Sequence, residues 1–432
     1  MTAPKDLTRR RWRDFRCLWA GESVSLLGSE VTRLALPLAA VVTLHASAGQ
    51  LGLLGAAAYA PFLVFGLPAG LWVDRHRRRP VLIVADLGQL AAIGSVPLLA
   101  VLGALSVPAL LIAAFAAGTF AVFFELAYRA YLPAIVPVEA LTGANSRLTA
   151  SESAAEIGGP GLGGVLAQVF GAPYALLLDA ASFLFSAIGL ASIRQREQPP
   201  VRDPAPLRAQ VADGFTATFR DRYLRAFAGE AGSYNLCWQI VQTVLVLYAI
   251  RELHLDPGRL GLVLAIGAAG ALLGALGTAA TARRFGLGRT VIAAAVIGDA
   301  APLALPFLQP GALAAPLLAA AFFVRGIGVT GCNVHVNAIR QTITPDRLLG
   351  RTNAAYRLLV YGAVPVGALL GGWLGSTFGL RTTLAVGTTG LLSTALFLIF
   401  SPVRHVRELS DCASLEAPRS SQPGADRSKT DA

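Results

Sequence analysis

Glu30 and Arg33 stand three residues apart inside a long apolar stretch. An ionisable group held in hydrocarbon costs about 2.5–3.5 kcal/mol on insertion scales, so groups kept there have a task. The i, i+3 spacing puts the two on neighbouring helical faces, within reach of each other. Glu30 reads either as a protonatable switch, whose proton affinity changes with its surroundings, or as half of a fixed ion pair with Arg33. Asp299 and Arg325 pose the same question later in the chain. They pair across helices, or Arg325 attracts an anionic substrate. Glu30, Arg33, Asp299 and Arg325 are the candidates for proton coupling.

A second constellation lies in Glu230-Ala-Gly-Ser-Tyr-Asn-Leu-Cys-Trp-Gln-Ile-Val-Gln242. Asn235, Trp238, Gln239 and Gln242 follow helical spacing and form one polar, aromatic stripe. Facing a cavity, it offers apolar area and a few orienting hydrogen bonds to an amphiphilic ligand. Facing another helix, it is packing. Glu125 and Arg129, four apart, form a gate pair. Glu22, Asp86, Glu152, Glu156 and Asp179 lie nearer the membrane faces, and most of them read as structural.

The elements that position these residues follow from composition. Of 432 residues, 54% are hydrophobic and 14% charged, with a mean hydropathy of +0.59. A soluble chain carries roughly a quarter charged residues. Apolar runs of about twenty residues alternate with Arg-rich connectors, the spacing a bilayer imposes. Such runs are too long for barrel strands and must satisfy their own amides, so they are helices. Twelve spans are expected at 17–43, 50–73, 80–102, 107–128, 147–170, 173–192, 224–249, 259–280, 290–308, 312–335, 354–377 and 381–400. Residues 1–16 read as a basic cytoplasmic tail rather than a cleaved signal. Residues 401–432 read as a disordered polar tail.

Positive charge sets the orientation. Arg9, Arg10, Arg11, Arg75, Arg77, Arg78, Arg79, Arg283 and Arg284 fall on one side, and only Arg251, Arg259 and Arg381 in the opposite loops. Both termini are therefore expected inside. The net charge of +11 sits in these loops, which argues against nucleic acid. Cys17, Cys237, Cys332 and Cys412 are widely spaced and read as packing residues, with no metal site. The only lysines are Lys5 and Lys429, so no Walker loop exists. No HExxH helix or catalytic set appears, and no cofactor is expected.

An internal repeat divides the chain. Pro137–Asn145 and Pro345–Asn353 are similar at an offset of 208, where Gly163-Gly164 meets Gly371-Gly372 and Gly171 meets Gly379. Leu51-Gly52-Leu53 and Leu260-Gly261-Leu262 also match. Two six-helix halves, 17–192 and 224–400, bracket a central cavity and rock about it. Between them, 193–223 opens Pro-rich and extended, then turns into an amphipathic helix on the inner surface.

The loop Gly70-Leu-Trp-Val-Asp74-Arg75-His-Arg-Arg78-Arg79 resembles the signature of the major facilitator superfamily, with Arg77 where that family carries glycine. Gly159-Pro160-Gly161-Leu162-Gly163-Gly164 matches an element typical of its exporters. Leu18–Pro37, Tyr128–Pro133 and Asp213-Gly214 resemble the branch with macrolide-efflux and enterobactin-exporter proteins. The likeness covers roughly residues 13–400. It implies an all-α membrane protein of twelve helices. Gly70 permits close packing, Asp74 engages a helix of the other half, and Arg75, Arg78 and Arg79 hold an inner gate, with Arg129 as a partner for Asp74. Glu30 then resembles the embedded acid of related proton-coupled exporters. The implied function is proton-coupled export of an amphiphile, macrolide-like or siderophore-like, by a monomer in the bacterial plasma membrane, in contact with lipid. An importer of the same fold and a non-transporting receptor are the alternatives.

Overall fold

The computed structural model describes residues 5–195, 197 and 207–408; Cys412, most of the last thirty residues and the Pro-rich stretch 198–206 lie outside that set. The described residues form α-helices with short turns and no strand. The first half holds α1 (Lys5–Leu38), α2 (Ala48–Val73), α3 (Arg78–Val101), α4 (Val107–Ile135), α5 (Leu141–Phe170) and α6 (Ala172–Ser192). A surface helix, α7 (Leu207–Arg220), precedes the second half. That half holds α8 (Arg222–Arg251), α9 (Pro257–Phe285), α10 (Leu287–Ala300), α11 (Ala314–Ile343), α12 (Asp346–Thr377) and α13 (Leu380–Ile399). Eleven of the described helices are long and apolar enough to cross a membrane. The fifth span expected, α5, falls short because Arg147, Glu152 and Glu156 crowd its first half.

Several boundaries differ from expectation. The first helix reaches back to Lys5, and Phe15 and Asp14 inside the expected tail are buried. Asp14 accepts the amides of Arg194 (3.2 Å) and Gln195 (2.9 Å), which fastens the end of the first half to its beginning. The span at 290–308 is two pieces. Pro302 and Pro306 remove helical donors, and Ala301–Phe307 tightens into a 3-10 turn. The chain does not leave the fold at Pro402. Pro402–His405 is a 3-10 turn, Val403 and Val406 are buried beside Leu287 and Val291, and the amide of Gly288 donates to Val406 (2.8 Å).

The repeat is visible in the backbone. The turns after α1 and α8 each place a histidine, His45 and His254, at φ 53°. The following amides donate six residues back, Ala46 to Ala40 (2.8 Å) and Leu255 to Ala249 (2.9 Å). The halves meet along two seams, α2 with α12 and α5 with α9. Each seam pairs the second helix of one half with the fifth of the other.

At the loop end, away from the termini, both seams cross glycine on glycine. A methyl group on Gly164 would lie 2.9 Å from the Cα of Gly261, and one on Gly261 would lie 2.9 Å from that of Gly164. On the other seam Gly52 and Gly372 stand in the same relation, at 2.7 and 2.8 Å. The four glycines that mark the repeat therefore let the backbones touch, a contact any Cβ would prevent. Gln168 accepting from the amide of Gly258 (3.1 Å) and Arg251 donating to the carbonyl of Ala46 (3.0 Å) close this end further.

Toward the basic end the α2 seam continues through Gly55 on Ala368 and Phe62 stacked on Tyr361 (4.9 Å between rings). Gly66 and Gly70, next on that face, have open space beside them. On the α2 seam the backbones thus touch at the loop end and leave open space beside Gly66 and Gly70 toward the basic end.

Leucine at Gly164 or Gly372 must push a facing backbone away, at a cost of about 1–3 kcal/mol, enough to shift the closed-to-open ratio at that end about fivefold or more. A cysteine at the buried Leu51, with the native cysteines replaced by serine, should then react faster with a soluble maleimide. Unchanged labelling would show that the crossing does not govern closure.

Candidate functional site

Glu30 sits on α1 where α5 passes. A methyl group on Gly159 would collide with the Cβ of Glu30, and one on Gly163 would lie 3.2 Å from the Cα of Val31. Gly159 and Gly163 therefore join α5 to α1, and Gly164 joins it to the other half. The carbonyl of Pro160 on the same helix lies where a Cβ on Gly261 would sit. Arg33 Nη1 donates to both carboxylate oxygens of Glu30 at 2.8 Å. Of the two sequence readings, the ion pair is formed here. The Arg33 side chain is 60% exposed, and Tyr59 and Glu156 lie within its electrostatic reach.

The basic loop departs from its expected role. Asp74 is exposed at the end of α2, and its side chain has no hydrogen bond or ion pair among the described residues. Arg75 is exposed beside it. Arg129 does not reach Asp74 but bonds Glu125 (2.9 Å). Arg78 and Arg79 bind within their own half. The amide and guanidinium of Arg78 reach Glu197 (2.7 and 3.1 Å), and Arg79 caps α6 at the carbonyls of Leu190 (2.9 Å) and Ala191 (2.6 Å). These bonds hold the start of α3 to the end of α6. Where glycine is expected, Arg77 is extended at φ −66° and ψ 127°, a conformation open to any residue.

The contact between halves at this depth is Glu125 with Arg357 of α12 (2.6 Å), so one carboxylate serves two arginines. Arg357 was not singled out in the sequence, although it falls inside the expected span 354–377, where any charge is a signal. The surface helix α7 is pinned nearby. Asp213 pairs with Arg351 (2.8 Å), and Gly214 lets α7 rest against the carbonyl of Arg351.

In the second half, Asp299 and Arg325 do not form the expected ion pair. Arg325 donates to the hydroxyl of Tyr234, and its guanidinium lies 3.3 Å from the centre of the Trp238 ring. Asp299 accepts from Thr394 (3.2 Å). An aromatic face attracts a guanidinium by roughly 0.5–2 kcal/mol, so the two rings compete with the carboxylate for Arg325. The Nε of Arg325 is buried without a partner and no carboxylate bonds it among the described residues, so the guanidinium keeps its charge.

The stripe on α8 splits. Asn235 lines a cavity of about 320 Å³ with Glu230, Tyr234, Asp299, Asn333 and Tyr356. Trp238 lies beneath Arg325 and edge-on to Phe322. Gln239 packs where α2 and α12 meet α8, beside Gly55 and Gly367. The Oε1 of Gln242 is buried without a partner. Helical spacing put the four on one side of α8, but neighbouring helices crowd that side differently at each turn. Glu230 was passed over, yet it shares the i, i+4 row with Tyr234 and Trp238.

Replacing Glu125 with glutamine and Arg357 with glutamine, singly and together, should show strong non-additivity. Each single change is expected to cost up to about 1 kcal/mol of stability, and the pair no more than the worse single. Thermal unfolding of the purified protein checks this; full additivity would mean the groups do not interact.

Comparison with known proteins places this geometry. Multidrug efflux pump Tap of Mycolicibacterium fortuitum is 28% identical over 397 residues, covering 90% of this chain and 94% of that protein. Macrolide efflux protein A of Streptococcus pyogenes is 26% identical over 266 residues, 61% of this chain and 65% of that one. A bacterial homologue of the iron transporter ferroportin, solved in its inward-facing state, shares the fold at TM-score 0.72 and 19% identity, over 90% of this chain and 98% of that one. The family model of the Major Facilitator Superfamily matches residues 18–368. With that match and two six-helix halves joined through symmetric seams, the chain belongs to the Major Facilitator Superfamily and is a membrane transporter.

Proposed function

We propose that this transporter is a proton-coupled exporter of amphiphilic small molecules, acting as a monomer by alternating access in the bacterial plasma membrane, with both termini in the cytoplasm. The arginine-rich end then faces the cytoplasm, in keeping with the bias of positive charge. The opposite end keeps its three arginines bonded: Arg251 to Ala46, Arg259 to Asp256 and Arg381 to Glu252.

One observation carries the reading. Both seams are shut by glycine crossings at the outer end, and past Phe62 and Tyr361 the α2 seam opens beside Gly66 and Gly70, with the Glu125–Arg357 pair still bridging the halves. That is one of the two states that rocking halves must visit. In the other state the inner end closes, and Asp74 gains the partner it lacks here. An acid near a helix N-terminus gains up to about 1–2 kcal/mol, a bond weak enough to break each cycle. Export rather than import is supported by the glycine–proline element of α5 and by the relatives named as efflux pumps.

Glu30 is the coupling acid in this reading. Its pair with Arg33 opens when a proton replaces the arginine, and Glu156 on α5 offers Arg33 a second carboxylate. The substrate occupies the space between the halves, reached from the inner end.

Inverted vesicles carrying the protein, with a pH-sensitive dye reporting an imposed proton gradient, test this. Addition of a transported antibiotic or siderophore should release protons from wild-type vesicles, and Glu30→Gln should reduce that release about tenfold or more, as loss of a charge-assisted interaction predicts. Uptake of labelled compound that ignores the gradient would overturn proton coupling. Accumulation driven in the opposite direction would favour an importer.

A further inference from the structure

Glu22 and Glu230 are also 208 residues apart, at the repeat offset. Each lies on the first spanning helix of its half, within electrostatic reach of an aspartate on the third, Asp86 or Asp299. The aspartates are 213 residues apart, so only the glutamates keep the repeat register, and the two halves place the pair differently. In the first half it is shut in: both oxygens of Asp86 and Oε2 of Glu22 are buried without a hydrogen bond. In the second half it borders the 320 Å³ cavity among α8, α10, α11 and α12.

Glu230 is 8% exposed, lines that cavity, and its carboxylate makes no hydrogen bond or ion pair among the described residues. Asp299 faces it from α10, Cys332 and Asn333 from α11, and Tyr356 from α12. The nearby guanidinium groups are engaged elsewhere. Arg325 lies on Trp238 and Tyr234. Arg340 lies 3.5 Å from the centre of the Tyr356 ring and donates to Asn353 (2.9 Å). Glu230 therefore has no bonded protein cation, while the charge of Arg325 reaches Asp299. Asn235 spends its amide N–H on the carbonyl of Ala231 (2.8 Å), which leaves its oxygen free to accept from a ligand.

We propose that this cavity binds the protonated amine of an amphiphilic substrate, with Glu230 as its counter-charge and Asn235 and Asn333 bonding its polar substituents. The inference rests on reading the protein as an exporter of amphiphiles and names the chemical class it carries. The volume is at the small end of ligand pockets, which suits a headgroup rather than a whole drug-sized molecule. The apolar remainder extends into the space between the halves. A buried carboxylate left unmatched is costly, and an ammonium ion removes that cost where a neutral or anionic headgroup cannot.

The test is an equilibrium one, so it succeeds or fails independently of proton coupling. Purified protein is titrated with dansylcadaverine and with its N-acetyl derivative, which differ in charge at one nitrogen, and dansyl fluorescence reports binding. Wild type should bind the amine about ten- to a hundredfold more tightly than the acetylated form, the range of one charge-assisted contact. Glu230→Gln should abolish that preference while leaving affinity for the acetylated form unchanged, and Glu230→Asp should keep part of it. An unchanged thermal midpoint shows that both variants are folded. Equal binding of the two probes, no binding of the amine to wild type, or a preference that survives Glu230→Gln would each overturn the proposal.

Discussion

Backbone-to-backbone contact at two symmetric crossings is the constraint on which this transporter is built. A bilayer supplies no hydrophobic drive to bring helices together, so closure depends on how near their backbones approach. Gly52 with Gly372 and Gly164 with Gly261 reach the limit of that approach. Their positions also set the depth at which each seam can part. Gly159 and Gly163, on the same helix as Gly164, tie α5 to α1 beside Glu30. One helix therefore carries both the seam contact and the surroundings of an embedded acid.

The charges divide by whether they hold the halves together or keep each half intact. Arg78, Arg79, Glu197 and Asp14 lash the first half to itself at the basic end. Asp213, Gly214 and Arg351 hold the connecting helix against α12. Arg251 and the Glu125–Arg357 pair are different, because each crosses from one half to the other. A charge kept inside one half moves with it as a rigid body. A charge that crosses ties one half to the other, so any movement between them would act on it first.

Against this background the unmatched groups stand out. Asp74 is exposed to water and bears no cost in waiting for a partner. Glu230 is buried, and its nearest arginines rest on aromatic rings. The two acids therefore point to different events, one to a change of conformation and one to a ligand. The repeat supplied both halves with a glutamate at the same position, and packing closed one site while leaving the other open.

Much of this architecture was legible in the sequence. Span length and the placement of arginines follow from the bilayer, which acts on each segment separately, so twelve helices and their division at the connector could be read locally. The repeat glycines were legible as a pattern, and Glu30 with Arg33 as a pair, because three residues of helix bring them together wherever the helix lies. The partners of longer reach were decided only in three dimensions. Asp299 and Arg325 share a depth but not a bond, since Tyr234 and Trp238 from a third helix claim the arginine. Asn235, Trp238, Gln239 and Gln242 share a helical face but meet four different surroundings. Val403 and Val406 look like the start of a polar tail, yet they fill a gap beside α10. Periodicity determines which way a side chain points from its own helix; what it meets there depends on the crossing of other helices, and only the tertiary structure decides that.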